Sequence, residues 1–556
     1  MKPRGKHHSV SEEQEGSGER ARLQRFGRAA LRIASWTLVS RVLGLVRDRY
    51  MFGLFGKGPE LGAFHLAWTL PNTFRRLLGE GALSAAFVPV LTKRLDKDGI
   101  EAARRTFAAV FGALMVVLVA LTAVLFVVVS LLPEAWFVDE EAPGYAPLLR
   151  TLLFLLLPYL APVSLMTIVA GAQNVRGRFA LPALAPAVLN AVWIAAVLVA
   201  ATRDGDLADK AVFVAICVLV GGVLQLVVQL PGLFASGLAG RPRLDFADPD
   251  LRQVVRAMLP MLLGLSVLQL NTLITQFLAA FLIDTGAPSI LFLGNRLLEF
   301  PHALLGVALG TAVFPLLSLL GGRGEHGEFR ETVGRALGIG LFFALPAAAG
   351  LFALAPWLVD VLFRTGRFDA VAAAEATTVT RVLACALPGL IAVQVLARTH
   401  YALEDMRTPL RIAVVLLFVA QGLNLFLAPR LGTAGLALSS AIVATVNATW
   451  LGLALSRRVG GEGLLARTAS TLGRAGLAAL PSAAAAWATA DVLTETAGSS
   501  LTLRALLLLL LPAGVGIVVF IGAAQVLGAR ELLEFRRGLA ARRHARSGAG
   551  EAPREG

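Results

Sequence analysis

Residues 106–132 read TFAAVFGALMVVLVALTAVLFVVVSLL, an apolar run that contains no charged side chain. About 20 such residues, wound as a helix, cross the roughly 30 Å of hydrocarbon in a bilayer. Because the run leaves no polar face for water, it predicts a transmembrane helix. Similar runs recur on both sides of it, and the fourteen predicted spans are 29–50, 62–91, 106–132, 147–173, 181–201, 209–236, 252–283, 288–320, 335–356, 371–397, 409–428, 433–456, 468–491 and 502–527.

The composition of the whole chain agrees with a membrane protein. Of its 556 residues, 56% are hydrophobic and only 16% are charged, and the mean hydropathy is +0.71. A soluble domain of this size needs a charged surface, which these residues are too few to supply. We therefore predict an all-α integral membrane protein with about 14 transmembrane helices.

The distribution of positive charge indicates the orientation in the membrane. The net charge is +14, and Lys and Arg lie mostly in alternate short loops between the apolar runs. The opposite loop at 133–146 contains four acidic residues and no Lys or Arg. Since basic loops resist translocation, both termini are predicted to lie in the cytoplasm, as an even number of spans requires. The predicted location is the bacterial inner membrane.

A faint internal repeat predicts two lobes. Arg76-Leu77-Leu78 and Arg296-Leu297-Leu298 lie in predicted helices six apart, which therefore share an orientation. Parallel repeats of this kind are typical of transporters, although chance similarity between Leu-rich segments is the alternative. The predicted domains are a disordered cytoplasmic tail (1–28), an N-lobe of six helices (29–240), a C-lobe of six helices (241–460), two further helices (461–528) and a basic cytoplasmic tail (529–556). Residues 531–546 in that tail are typical of an amphipathic helix at the membrane surface, with a merely solvated tail as the alternative.

Charged residues within the predicted spans are the candidates for function, because a charge in hydrocarbon needs a partner, water or a ligand. The first span contains Arg41, Arg47 and Asp48, and the spacing of Arg41 and Asp48 places them on one helix face as a potential pair. Glu80 follows Arg76 at the i+4 spacing of an ion pair, and Glu299 follows Arg296 at i+3. The members of this group are Arg41, Arg47, Asp48, Arg75, Arg76, Glu80, Asn295, Arg296 and Glu299.

Arginine outnumbers acid in this group, so a cavity lined by these helices would carry surplus positive charge. A buried, unbalanced set of guanidinium groups is costly unless an anion binds there. The planar guanidinium donates paired hydrogen bonds that fit phosphate, which favours a diphosphate or carboxylate over a cation. The alternative is that individual arginines extend to the interface or bind backbone carbonyls.

Several other function classes lack their expected residues. The sequence contains no Walker motif and none of the acidic loop clusters of a metal-dependent transferase. Its two cysteines and separated histidines do not have metal-ligand spacing. A cation antiporter would carry intramembrane acids instead of surplus base. We expect a transporter without enzymatic activity, metal or cofactor.

Three motifs resemble those of the MurJ (MviN) lipid II flippase family. They are SRVLGLVRD at 40–48, LPNTFRRL at 70–77 and NRLLEFP at 295–301. Weaker matches follow in order as far as Asp405 and Thr408-Pro409, so the resemblance covers nearly the whole chain from about residue 30.

The resemblance implies the fold of the multidrug/oligosaccharidyl-lipid/polysaccharide exporter superfamily. That fold has two six-helix lobes around a V-shaped cavity, and two C-terminal helices that form a groove for the lipid tail. It implies transport of an undecaprenyl-diphosphate-linked peptidoglycan precursor, lipid II, from the cytoplasmic to the periplasmic leaflet by alternating access. The family's essential cavity arginines correspond to Arg41, Arg47, Arg75 and Arg296, and Arg76 and Glu80 also match motif positions. Asp48, Glu80, Asn295 and Glu299 are then expected to support ion pairs or gating. A flippase for another polyprenyl-diphosphate-linked oligosaccharide, of the O-antigen or exopolysaccharide type, is the alternative.

The sequence departs from the family pattern at two acidic positions. Gly62 stands where the family often has an acid early in the second helix, and Asn295 stands where an acid commonly precedes the arginine. The eleventh span offers Gln421 and Asn424 but no carboxylate, so no sodium site is predicted there. The expected partners are lipid II, membrane lipids and the cell-wall synthesis machinery, without nucleic acid, and the expected state is a monomer.

Overall fold

The computed structural model describes residues 36, 38–133, 142, 144–323, 326–460, 462–495 and 500–533. These residues form helices joined by short turns, with no strand among them, as the fold-class prediction requires. The predicted tail at 1–28 and the part of the predicted surface helix beyond residue 533 lie outside this range. The helices are α1 (38–55), α2 (Pro59–Phe74), α3 (Leu83–Leu131), α4 (Tyr145–Leu156), α5 (Leu160–Val175), α6 (Ala180–Thr202), α7 (Leu207–Ser236), α8 (Pro249–Leu282), α9 (Ala287–Arg323), α10 (His326–Phe363), α11 (Ala370–Ala384), α12 (Leu387–Ala402), α13 (Arg407–Val459), α14 (Glu462–Leu493), α15 (Leu501–Ala505) and α16 (Leu511–Val526).

Three short segments join helices without a true loop. Arg75–Ala82 is a π-helical segment between α2 and α3, and Leu506–Leu510 is another between α15 and α16. Leu157–Tyr159 is a 3-10 turn between α4 and α5. The two π-helical segments are wider than an α-helix, and π-helical turns often occur at functional sites.

The number of membrane-spanning helices depends on how interrupted helices are counted. Within the described ranges, nine helical spans are long and apolar enough to cross a membrane, and α11 with α12 makes a tenth span bent by 40°. Two of the fourteen predicted spans, 409–428 and 433–456, share the single long helix α13. The other three predicted spans contain the arginine motifs. Of 29–50, residues 38–50 lie in α1, and residues 29–35 and 37 lie outside the described residues. The span 62–91 runs through α2, its π-helical continuation and the start of α3, and 288–320 lies in α9. The described parts of the predicted spans therefore lie in helices. The three spans that contain the arginine motifs are those that do not meet the criterion of length and apolarity.

Glycine separates two long helices into parts. Gly99 in α3 has φ 79° and Gly432 in α13 has φ 58°, and both angles lie in the left-handed region that residues with a Cβ rarely adopt. Each glycine therefore ends one helical segment and starts the next without intervening residues. This explains why two consecutive spans can follow one another within one continuous helical stretch.

The described chain divides into two compact units. The first contains α1 to Leu54, the chain from Ala67 to the end of α3, and the chain from Ala146 to Gln269 in α8. The second contains Phe55–Leu66 and the chain from Leu270 onwards. The predicted lobe boundaries stay a prediction.

Each unit has its own apolar core. In the first unit, Phe87 and Phe107 of α3 pack with Ile168 of α5 and with residues of α7 and α8. In the second unit, one core joins α9, α10, α12 and α13 around Phe329, and another joins α10, α14 and α16 around Phe342 and Phe520. The core around Phe329 includes α9, the helix that carries Arg296, and Phe74 at the end of α2 packs against the core of the first unit.

Candidate substrate-binding site

Arg47 in α1 is held by three side chains of the first unit. Its Nε and Nη2 donate to one carboxylate oxygen of Asp48 at 2.9 and 2.6 Å, and its Nη1 donates to Oδ1 of Asn190 at 3.1 Å. The guanidinium carbon lies 4.3 Å from the ring centroid of Trp193, a cation–π geometry. The side chains of Arg47 and Asp48 are 12% and 3% exposed. The predicted intramembrane arginine is therefore buried and fixed in position.

The residues around Arg47 are themselves fixed. Asn190 donates from Nδ2 to the carbonyl oxygen of Ser40 at 3.0 Å, so its Oδ1 must face Arg47. The indole Nε1 of Trp193 donates to Sδ of Met51 at 3.3 Å, and its ring meets Trp68 edge-on with centroids 4.9 Å apart. Asn190 and Trp193 are three residues apart in α6 and so lie on one face of that helix.

The predicted pairing of Arg41 with Asp48 is wrong. Asp48 pairs with its chain neighbour Arg47, while Arg41 is exposed two turns earlier in α1. Helical periodicity correctly placed Arg41 and Asp48 on one face. It did not include Asn190 and Trp193, which reach Arg47 from α6 and hold it against the carboxylate.

The second arginine motif lies where α2 passes into its π-helical continuation. Arg75 donates from Nε and Nη2 to Oδ1 of Asn72 at 3.0 and 2.9 Å, and Arg76 is exposed. Because Asn72 is neutral, its contact orients the guanidinium of Arg75 without cancelling its charge. The side chain of Glu80 lies outside the described part of the structure, so its predicted pair with Arg76 stays a prediction.

The third arginine motif belongs to the second unit. Nη1 of Arg296 lies 3.6 Å from a carboxylate oxygen of Glu299, which agrees with the predicted i, i+3 pair. Asn295 donates from Nδ2 to the carbonyl oxygen of Leu291 in its own helix at 2.9 Å. Asn295 therefore places no carboxylate beside Arg296, and its side chain binds the backbone of its own helix. The convergence of Arg296 with the arginines of the first unit stays a prediction.

Gly62, the other departure from the family pattern, is a close backbone contact. A Cβ built on Gly62 would lie 1.7 Å from the carbonyl oxygen of Thr285 and 3.2 Å from Cα of Gly286. The neighbouring Leu61 and Ala63 are fully buried. The position therefore has no room for any side chain, acidic or not, in this arrangement of the second unit.

An ionic cluster that the sequence did not indicate lies beside Gly62. Nζ of Lys57 donates to Asp284 at 2.9 Å and to Glu375 at 2.6 Å, and the other oxygen of Glu375 accepts from Oγ1 of Thr433 at 2.8 Å. These groups come from the α1–α2 turn, the α8–α9 turn, α11 and the start of the second part of α13. The cluster therefore ties four segments of the second unit together.

A group of neutral polar side chains joins α8 to α13. Gln421 donates to Oδ1 of Asn271 at 2.8 Å, and Asn424 donates to Thr275 and to Gln421 at 3.1 Å each. Amides and a hydroxyl thus satisfy one another here. Among the described residues, no group of three or more His, Cys, Asp and Glu side chains has the arrangement of a metal site.

Sequence reasoning missed the side chains that reach a site residue from another helix. Asn190, Trp193 and Lys57 are not among the candidate residues that the sequence indicated. The available signal was composition: a polar Asn and a Trp three residues apart interrupt an otherwise Ala- and Val-rich helix. What the arrangement offers chemically is a set of oriented guanidinium donors, which suits an anion.

Comparison with known proteins tests the resemblance of the motifs. The family model of lipid II flippase MurJ matches residues 51–519. A lipid II flippase MurJ of Burkholderia cenocepacia is 37% identical over 444 residues, which cover 78% of this chain and 84% of that protein. A probable lipid II flippase MurJ of Bdellovibrio bacteriovorus is 32% identical over 533 residues, which cover 94% and 99%.

Solved structures confirm the fold. A lipid II flippase MurJ in an inward closed conformation matches with a TM-score of 0.71 and 20% identity, over 90% of this chain and 99% of that chain. An inward-facing multidrug resistance transporter of the MATE family matches with a TM-score of 0.60 and 15% identity, over 78% and 98%. The match of residues 51–519 to the family model and the identity with relatives over most of their length agree with the three arginine motifs, so this chain belongs to the lipid II flippase MurJ family.

Proposed function

We propose that this chain moves lipid II, an undecaprenyl-diphosphate-linked peptidoglycan precursor, from the cytoplasmic to the periplasmic leaflet. The observation that carries the proposal is family membership over nearly the whole chain, with the arginine motifs present at 40–48, 70–77 and 295–301. As a family member with multiple apolar helices, the chain is a multi-pass inner-membrane protein. Transport, not catalysis, is the activity that its guanidinium groups serve.

In this proposal, Arg41, Arg47, Arg75, Arg76 and Arg296 bind the diphosphate. Each guanidinium can donate paired hydrogen bonds to phosphate oxygens, and a membrane environment strengthens such charge-assisted bonds. Asp48 and Glu299 pair with Arg47 and Arg296, so an incoming diphosphate must compete with these carboxylates. The carboxylates of Asp48, Glu80 and Glu299 lower the net positive charge that the diphosphate meets, whereas the neutral Asn295 leaves it unchanged.

The proposed transport cycle is alternating access between an N-lobe (29–240) and a C-lobe (241–460). The head group enters from the cytoplasm and leaves to the periplasm, while the polyprenyl tail stays in lipid beside the helices of 461–528. The basic loops support cytoplasmic termini by the positive-inside rule. We further propose that the chain acts as a monomer beside the cell-wall synthesis machinery.

Reconstitution tests the proposal directly. Purified protein is placed in liposomes with labelled lipid II on the inner leaflet, and exposure of the head group outside is measured. We expect wild-type protein to expose it and Arg296→Ala to fail, whereas Arg381→Ala, which removes an arginine bound to the Phe352 carbonyl, retains activity. Equal activity of Arg296→Ala and wild type would refute the binding role.

The alternative substrate is another lipid-linked oligosaccharide of the O-antigen or exopolysaccharide type. Guanidinium groups recognise the diphosphate that all these lipids share, so the arginines do not separate them. Rescue of a strain depleted of its lipid II flippase decides between the two. We expect full growth with wild-type protein at normal expression, and rescue confined to an O-antigen flippase mutant would favour the alternative.

A further inference from the structure

We infer that Asn190 and Trp193 are positioning residues that hold the guanidinium of Arg47 ready for the diphosphate. The inference rests on the proposed function, because it gives Arg47 the role of a substrate ligand. It concerns two side chains outside the arginine motifs, which sit on a different helix from Arg47. Neither is proposed to touch the substrate.

The contacts on Arg47 divide into one that cancels its charge and two that do not. Asp48 occupies the edge formed by Nε and Nη2, and this contact neutralises the guanidinium. Asn190 and Trp193 are uncharged and contact Nη1 and the guanidinium face. They therefore orient Arg47 while leaving its full charge available to an anion that displaces Asp48.

The geometry leaves Arg47 able to bind another acceptor. Donation to Asp48 and Asn190 does not use all the N–H groups of the terminal nitrogens Nη1 and Nη2. An arginine that swings freely loses much rotational freedom when it binds, and one that is already fixed loses little. A guanidinium group that is already held in position thus binds phosphate more tightly than a mobile guanidinium with the same charge.

The two positioning residues are in turn built into the unit. The amide of Asn190 cannot turn over without losing its bond to the Ser40 carbonyl, which lies two turns before Arg47 in the same helix. Trp193 is 2% exposed, and its indole nitrogen and its edge are held by Met51 and Trp68. These contacts restrict the orientations that both side chains can adopt around Arg47.

The test is a comparison of two lipids that share a tail and differ in charge. Binding of undecaprenyl diphosphate and of undecaprenol to purified protein is measured for wild type, Trp193→Leu and Asn190→Leu. We expect each variant to bind the diphosphate about tenfold more weakly, as for loss of a desolvated cation–π contact or charged hydrogen bond, with undecaprenol binding unchanged. Trp193→Phe, which keeps an aromatic face, should fall between wild type and Trp193→Leu.

Two controls separate positioning from a general effect of such substitutions. Trp487→Leu removes an exposed tryptophan, and Asn424→Leu removes a buried amide, each in the second unit. Both should keep the wild-type ratio of diphosphate to undecaprenol binding. In an Arg47→Lys background, Trp193→Leu should have little further effect, because its partner guanidinium is absent.

The outcomes test the positioning role of Asn190 and Trp193 separately from the proposed transport of lipid II. Wild-type protein that does not prefer the diphosphate over undecaprenol would refute the proposed function. A wild-type preference that Trp193→Leu and Asn190→Leu both retain would refute the inference and leave the function standing. Equal losses for both lipids, or undiminished losses in the Arg47→Lys background, would show that the two residues only support the fold.

Discussion

Replacing Gly62 by alanine should destabilise the protein, although alanine is the better helix former. The new Cβ would lie 1.7 Å from the carbonyl oxygen of Thr285. Since a carbon and a carbonyl oxygen normally approach to about 3.3 Å, α2 and the α8–α9 turn would have to separate by roughly 1.5 Å. The obstructing atoms are backbone atoms, so no side-chain rotation relieves the contact.

The magnitude follows from two opposing terms. Overpacking of a tightly packed site typically costs about 1–3 kcal/mol, and the surroundings of Gly62 are fully buried. Alanine recovers about 1 kcal/mol of helix propensity over glycine. We therefore expect a net loss of up to about 2 kcal/mol for Gly62→Ala, and a larger loss for Gly62→Asp, which also buries a carboxylate.

The assay is thermal denaturation of purified protein in one detergent, with Gly422→Ala as the matched control. A Cβ on Gly422 in α13 would meet no atom within 4 Å, so that variant should be as stable as wild type or slightly more stable. We expect a lower midpoint for Gly62→Ala only. A Gly62→Ala midpoint equal to that of Gly422→Ala would show that the close approach does not constrain this segment.

Two further predictions concern charged groups outside the helices' apolar stretches. Lys57→Met should cost about 1 kcal/mol of stability, because it leaves Asp284 and Glu375 without their shared ammonium. Burial lowers the pKa of Lys57, but its hydrogen bonds to the two acids outweigh this effect and raise the pKa above 10.5. The stabilisation by Lys57 is therefore present below pH 10.5 and is lost as the pH rises through the raised pKa. In Lys57→Met, the thermal midpoint should fall less steeply at alkaline pH. Burial raises the pKa of Asp405, but hydrogen bonds from Thr408 outweigh this effect and lower the pKa to about 2. Its stabilisation is therefore present above about pH 4 and is lost as the pH falls toward 2, and Asp405→Asn should flatten that acid limb; an unchanged pH profile in either variant would contradict the corresponding linkage.

The helices could be predicted from the sequence because their cause is local. Apolar runs long enough to cross a bilayer and the residues that interrupt them are visible in the chain itself. The arginine motifs were likewise visible, since charge in such runs is rare. The pair of Arg296 and Glu299 depended only on spacing within one helix, and the structure contains it.

The contacts between distant segments could not be predicted. Lys57 lies 227 residues from Asp284 and 318 from Glu375, and no property of the turn around Lys57 points to either. Gly62 illustrates a second limit. The family pattern shows an acid replaced by glycine, whereas the structure shows why a glycine is needed: the backbone of Thr285 occupies the space. From the sequence alone, a glycine that replaces an acid cannot be distinguished from a glycine that is required by a close backbone contact.

The indole of Trp193, packed against the guanidinium of Arg47, also gives the molecule an optical sensor. Indole emission depends on the electric field across the ring, and a cation 4.3 Å from its centroid is a strong local source of such a field. The chain has seven tryptophans. Replacing the other six by phenylalanine would leave Trp193 as the one tryptophan fluorophore, and its emission wavelength would depend on the field of Arg47. Binding of an anion to Arg47 could then be followed in real time with an unlabelled protein and an unlabelled lipid.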